Sequence, residues 1–238
     1  MCTEQCQPAP QRRRFLALTA ANIAVASFWS RRATCAVVPA TNIPADEAIA
    51  RLKSGNEKFV TAPQLCALDL LKQRGEVAKA QTPWAAVISC SDSRAPPELL
   101  FGGLGVGQIF VARNAGNMVD TATMGTIEYG AEHFSIPLFV VMGHSRCGAV
   151  AAACAVIEKQ EKFPGSVGQM VNAIVPAARA VYGQPGDFVD NAVRESAKRT
   201  AQKIATESEI VGSLIKAQKV KVLAARYDLD SGQVEFLT

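Results

Sequence analysis

Short, unbroken apolar runs alternate along this chain with longer segments in which apolar residues recur every three or four positions. Trp84–Cys90 (WAAVISC), Gln108–Ala112 (QIFVA) and Leu138–Gly143 (LFVVMG) are runs of the first kind, the pattern of strands buried on both faces. Residues 44–61 (PADEAIARLKSGNEKFVT) are of the second kind, with Pro44 near the start and Ile49, Leu52 and Phe59 on one stripe, and predict a helix. Residues 62–83 are mixed and predict a short helix and a loop. Residues 120–134 (DTATMGTIEYGAEHF) predict a helix capped by Asp120 or Thr121. An Ala-rich helix is expected from just after Cys147 to about Glu158, and further helices over 166–218, with breaks at Pro176 and Gly183–Gly186. Lys221–Leu229 (KVLAARYDL) and Gln233–Leu237 (QVEFL), joined by Asp230-Ser231-Gly232, predict a terminal hairpin. Strands alternating with helices predict an α/β fold: a mainly parallel central sheet flanked by helices, with a C-terminal edge hairpin. No linker or repeat interrupts residues 41–238, so a single domain is expected there.

The first forty residues follow neither pattern. Gln11-Arg12-Arg13-Arg14-Phe15-Leu16 leads into an apolar run from Phe15 to Trp29. That run is too short for a membrane span, which needs roughly 20 apolar residues. It has the layout of an export signal instead. Arg-Arg followed closely by Phe-Leu looks like a twin-arginine signal, with cleavage expected after Cys35 or after Ala40. Residues 1–40 are therefore read as a signal peptide, and the mature chain as exported, to the periplasm of a bacterium. The alternative is an uncleaved amphipathic anchor.

Charge changes meaning once the leader is set apart. The 238 residues carry 25 Lys+Arg against 21 Asp+Glu, a net charge of +4, with 49% hydrophobic and 19% charged residues. That composition excludes a disordered chain and leaves enough length for a substantial core. Arg12, Arg13, Arg14, Arg31 and Arg32 against Glu4 account for the whole excess, and residues 41–238 balance at 20 against 20. The basic character therefore gives no support for nucleic-acid binding, and no stable membrane insertion is expected after processing.

Seven cysteines first suggest disulfides, but Cys2, Cys6 and Cys35 lie in the leader. Cys66, Cys90, Cys147 and Cys154 remain, and four cysteines in an exported domain permit two bridges. Two clusters point to metal instead. Cys90-Ser91-Asp92-Ser93-Arg94 and His144-Ser145-Arg146-Cys147 each follow a predicted buried strand, and ligands of open α/β sheets bind at the carboxyl ends of strands. Cys90 and Asp92 share a face in extended chain. Cys147 falls at a helix start, where the dipole favours a thiolate. His144 and Cys147 are close enough in sequence to chelate one ion. Two thiolates and an imidazole favour zinc over magnesium or calcium, with a fourth position left for water or substrate. Asp92 is placed to fill that position or to stand beside it, and Arg94 to pair with Asp92 and keep it ionised. A closed structural zinc site would use the same ligand types.

Cys90-x-Asp92-x-Arg94, with His144-x-x-Cys147 beginning 54 residues after Cys90, closely resembles the β-class carbonic anhydrases. The resemblance extends through Arg113-Asn114-Ala115-Gly116-Asn117, Thr126-Ile127-Glu128-Tyr129-Gly130, Gly143–Gly148 and Ala225–Val234, and covers nearly all of 44–238. It implies reversible hydration of carbon dioxide to bicarbonate and a proton, with zinc on Cys90, His144 and Cys147 and a dyad of Asp92 and Arg94 beside it. In some relatives the aspartate binds the metal and blocks water, a state associated with a Trp three residues before the first cysteine. This chain has Val87 there, so the open type is implied. Gln81 matches a family glutamine that donates to the substrate oxygen, and Phe110 and Tyr129 match pocket-lining positions at a dimer interface. A homodimer or homotetramer is implied as well.

Two other readings use the same residues: a hydrolase of a related linear molecule such as carbon disulfide, and a zinc-stabilised binding protein without turnover. Gly102–Gly107 is read as a turn, because it precedes a strand and lacks the Lys-Ser/Thr of a phosphate loop. His133 is expected at the surface or as a cap, with a proton-shuttle role as the alternative. Cys154 is expected in the core, and Cys66 has no visible partner.

Overall fold

The computed structural model describes residues 40–66 and 70–237. The leader, its arginine pair, its cysteines and the Cys35 cleavage point lie outside the described residues. Among the described residues no helix is long and apolar enough to cross a membrane.

Five strands form one sheet in the order β2-β1-β3-β4-β5. They are β1 (Ala85–Cys90), β2 (Ile109–Asn114), β3 (Leu138–His144), β4 (Lys221–Tyr227) and β5 (Val234–Leu237). β1 pairs in parallel with β2 and β3, and β3 with β4; only β4–β5 is antiparallel. The expected parallel sheet with a C-terminal edge hairpin is what forms. β1 and β3 are buried along their whole length, which explains why both read as continuous apolar runs rather than alternating ones.

Helices α1 (Ala45–Thr61), α2 (Leu70–Val77), α3 (Pro97–Leu100), α4 (Thr121–Phe134), α5 (Gly148–Lys159), α6 (Gly165–Val181), α7 (Phe188–Glu207) and α8 (Glu209–Lys216) surround the sheet. Strand side chains alternate between its two faces. Ile88, Phe139, Val141 and Ala224 pack with Ile127 and Phe134 of α4, Ala197 and Ile204 of α7 and Val211 of α8. Val87, Val140, Met142 and Ala225 pack on the opposite face with Ala48 and Leu52 of α1 and Leu100 of α3. A third cluster joins α5, α6 and α7 to Cys90 and Cys147.

Most helix boundaries follow local chemistry. Asp120 caps α4 by accepting from the Thr123 amide at 2.8 Å, as its type and place predict. Pro176 departs from expectation: it lies inside α6 and does not break it. Its missing N–H leaves the Asn172 carbonyl unpaired within the helix, but both residues are on the exposed side, where water can satisfy that carbonyl. The break that does occur, besides the Gly183–Gly186 segment, is at Ser208. Its Oγ accepts from the Val211 amide at 3.1 Å and starts α8.

Asn56 ties together three distant segments. Its Nδ2 donates to the carbonyls of Leu100 at 3.0 Å and Gly232 at 2.9 Å, and its Oδ1 accepts from the Val234 amide at 2.8 Å. This buried side chain thus pins α1 to the end of α3 and to the β4–β5 turn. Asn56→Ala would leave those groups unpaired, and a loss of about 3 kcal/mol is expected. Chemical denaturation of wild type and variant measures it.

Candidate metal centre

The parallel register brings the carboxyl ends of β1 and β3 to the same rim. Ser89 pairs with Met142, so Cys90 stands beside Gly143, one residue before His144. His144 closes β3, and a turn of Ser145 and Arg146 leads to Cys147, the N-cap residue of α5. One donor atom from each of Cys90, His144 and Cys147 lies within 4.8 Å of the others, and all three residues are buried. The two sulfurs are 4.0 Å apart. Around a tetrahedral zinc two sulfurs would be separated by about 3.8 Å, given bonds of about 2.3 Å. His144 Nδ1 lies 3.0 Å from the carbonyl oxygen of Ser145, which can only accept, so Nδ1 is the donor. Its other nitrogen, Nε2, is buried without a hydrogen-bond partner. A bare imidazole nitrogen beside two sulfurs, in a group otherwise buried, is a donor set that fits zinc.

The protonation chemistry of the sulfurs fits as well. Cys90 is lowered from the usual thiol value of 9.0 to about 4, chiefly because the Cys147 thiol donates to it; burial opposes this, and the Gly116 amide assists. Cys147 is pushed up for the reciprocal reason, with burial and the neighbouring Cys90 charge adding to the shift. The closeness of the two sulfurs thus favours loss of a first proton and opposes loss of a second, and a cation would compensate that second charge.

Gly116 shapes the Cys90 side. Its amide meets Cys90 Sγ at 3.4 Å. Its φ is +80°, which a side chain would adopt only with strain, and a Cβ there would also have to displace the tip of Ile174, 2.6 Å away.

Asp92 and Arg94 stand on the loop that follows β1. Asp92 Oδ1 accepts from the Arg94 amide and Nε, each at 2.9 Å, and Oδ2 accepts from Nη2 at 2.7 Å. Oδ2 is also 3.8 Å from His144 Nε2. The carboxylate therefore borders the donor cluster while turned toward Arg94. Arg94 hydrogen bonds hold the Asp92 carboxyl well below the ordinary carboxylate value.

Arg113 has a role that its place within the longer Arg113–Asn117 motif does not reveal. Its Nε donates to the Cys90 carbonyl at 2.9 Å and its Nη2 to the Asp92 carbonyl at 2.6 Å. It fixes the loop from the neighbouring strand. The sequence signal was its place at the end of a predicted strand, where it faces the same rim.

The three residues expected in the pocket are not brought to this cluster within one chain. Phe110 pairs with Ala86, four residues before Cys90, or about 13 Å along the strand. Tyr129 packs 6.5 Å from it, ring to ring, and is 47% exposed on α4. Gln81 precedes β1 and sits beside Gly107, at the opposite end of the strands from the Cys90–His144–Cys147 cluster. His133 is exposed and packs against Tyr129, ring centroids 4.5 Å apart and tilted by 48°, and Cys154 is buried in the core.

A sequence profile for carbonic anhydrases matches residues 85–234. The chain belongs to the β-class carbonic anhydrases. It is 32% identical to a carbonic anhydrase of Mycolicibacterium smegmatis over 184 residues, covering 77% of this chain and 89% of that one. It is 32% identical to carbonic anhydrase 2 of Mycobacterium tuberculosis over 182 residues, covering 76% and 87%. The fold superposes on the β-carbonic anhydrase of Coccomyxa, solved with acetazolamide, with a TM-score of 0.61 and 25% identity over 83% of this chain and 87% of that one. The profile match spans both motif-bearing loops, so the residues gathered at the rim are the ones on which the family resemblance rests.

Because the depressed Asp92 pKa favours the ionised form, its stabilisation is present above the ordinary value of 3.8 and is lost as pH falls below it. In wild type the Asp92 carboxyl is expected to remain ionised at pH 3.8. In Arg94→Ala it should protonate near that value. A carboxyl-carbon NMR titration of both proteins measures the difference.

Proposed function

We propose that this β-class carbonic anhydrase is a zinc enzyme that reversibly hydrates carbon dioxide to bicarbonate and a proton. The observation that carries the reading is the buried Cys90–His144–Cys147 cluster, with its bare imidazole nitrogen, bordered by a carboxylate committed to Arg94. Cys90, His144 and Cys147 would hold the ion, and zinc in such a site makes water acidic enough to lose its proton near neutral pH. Asp92, ionised, can only accept a hydrogen bond. It would accept from the attacking water and turn that oxygen's lone pair toward carbon dioxide. Arg94 keeps Asp92 in this acceptor state and draws it away from the donor cluster. The open arrangement, with Asp92 outside the ligand set, is supported by the two carboxylate oxygens accepting from Arg94.

Gln81, Phe110 and Tyr129 would serve a site only across an interface, as the resemblance implies for a dimer. β2 is an edge strand, and the half-buried Phe110 with the exposed Tyr129 beside it would suit a second copy of the chain. Export through a twin-arginine signal to the periplasm remains part of the proposal on the strength of the leader sequence. N-terminal sequencing of the secreted protein, with cleavage after Cys35 or Ala40, tests it.

Stopped-flow assays with a pH indicator test the activity. Hydration by the mature protein is expected to increase with pH through a single ionisation at about 7. Asp92→Asn, which exchanges a pure acceptor for a group that also donates, should lower kcat about 100-fold, within the range for general acid–base and orienting groups. Cys147→Ala should reduce zinc, measured by elemental analysis, from about one per chain to near none. Stoichiometric zinc without hydration would sink the proposal, and turnover of carbon disulfide in its place would identify the alternative substrate.

A further inference from the structure

We propose that Ser145 is a positioning residue for the metal centre: by anchoring the turn between His144 and Cys147 to the β4–β5 hairpin, it holds these two ligands at metal-binding separation. The proposal rests on the zinc reading above and extends it to a residue that touches no reacting atom.

Only Ser145 and Arg146 separate the two ligands. Arg146 has a φ of +54°, a conformation that residues other than glycine adopt at a cost. The turn is therefore not favoured by its own sequence and has to be held from outside. Ser145 does so with three polar groups. Its amide donates to the Tyr227 carbonyl at 2.9 Å, extending the β3–β4 ladder one step past the His144–Tyr227 pair. Its Oγ accepts from the Leu229 amide at 2.9 Å. Its carbonyl accepts from His144 Nδ1 at 3.0 Å, which sets the ring's tautomer and directs the bare Nε2 toward the two sulfurs. Such partners of a ligating histidine tune both orientation and affinity. Ser145 is 5% exposed, so solvent is poorly placed to replace the hydroxyl. Outside it, Arg146 forks onto Asp230 at 2.5 and 2.9 Å and ties the same turn to the same hairpin.

A merely structural serine would affect stability and leave the metal's kinetics alone. Zinc release from the full chain into an excess of chromophoric chelator separates the two without turnover. Ser145→Ala is expected to release zinc about ten-fold faster than wild type. Ser145→Thr, which keeps the acceptor oxygen, should restore most of the difference. Val211→Ala, on the buried face of α8, lowers stability away from the turn and should release zinc at the wild-type rate. With cobalt(II) in place of zinc, the d–d absorption bands should move in Ser145→Ala and stay put in Val211→Ala. Wild-type release by Ser145→Ala with an unmoved spectrum overturns the proposal, and so does release from Val211→Ala as fast as from Ser145→Ala. If Ser145→Ala fails to fold, a semisynthetic chain with the Leu229 amide replaced by an ester carries the test, because it removes only the N–H that donates to Ser145 Oγ. It should also release zinc about ten-fold faster, and wild-type release overturns the proposal. A wild-type chain that binds zinc without hydrating carbon dioxide fails the earlier reading and leaves this one standing, whereas one that binds no zinc overturns both.

Discussion

β1 and β3 pair in parallel with Ser89 opposite Met142, and the Cys90–His144–Cys147 cluster depends on that register. Cys90 and His144 are far apart in sequence, yet each ends a strand at the same rim of the sheet. A slip of one residue would turn the strand's side chains to the other face and take Cys90 away from His144. The slip is prevented by burial rather than by any interaction at the rim. Ile88, Phe139 and Val141 fill one face, and Val87, Val140 and Met142 fill the other. Because both faces of both strands are covered, any shift would misplace large side chains on each. The polar chemistry is positioned by apolar packing several residues away from it.

That packing also sets the electrostatics. Cys90, His144 and Cys147 are removed from water by the same helices that cover the strand ends. Burial alone would keep both thiols protonated. Their 4.0 Å separation lets one donate to the other, so Cys90 ionises readily while Cys147 resists. An arrangement poised between one and two thiolates suits a divalent cation, whose charge compensates what the protein leaves open. Asp92 would add a further negative charge to this cluster if it turned inward. Its hydrogen bonds to Arg94 give it a better-compensated place just outside, 3.8 Å from His144 Nε2.

The strands and the Cys90–His144–Cys147 cluster were legible because their signals are local. A buried strand is an unbroken apolar run, and a rim residue directly follows one, so Cys90 and His144 could be located without coordinates. Asp120 was legible as a cap for the same reason. Other features depend on partners that a local window does not contain. Pro176 looks like a helix breaker, but on an exposed side of α6 its lost hydrogen bond is inexpensive. Ser208 looks like an ordinary helix residue, and its capping role appears only where the chain turns into α8. Asn56 bridges to Val234, 178 residues away, and Ser145 to Leu229, 84 residues away. Gln81, Phe110 and Tyr129 were proposed from a resemblance whose pocket includes a second chain, and one chain places them elsewhere.

The division of labour across the sheet follows from the strand order. β1 and β3, neighbours in the sheet, end at the clustered side chains, and the loops that follow them have to be free enough to converge. Each is therefore held by its outer neighbour. From β2, Arg113 reaches the carbonyls of Cys90 and Asp92. From beyond β4, Tyr227 and Leu229 take the amide and hydroxyl of Ser145. The second support is itself braced: Asp190 of α7 accepts from Arg226, which also reaches Asp228, while Arg194 joins α7 to Glu235 of β5. An antiparallel β5 closes β4 with a tight turn, placing Leu229 and Asp230 directly over the Ser145–Arg146 turn. A parallel fifth strand would have required a long crossover and would have carried the chain away from the rim at the point where the His144–Cys147 turn needs support.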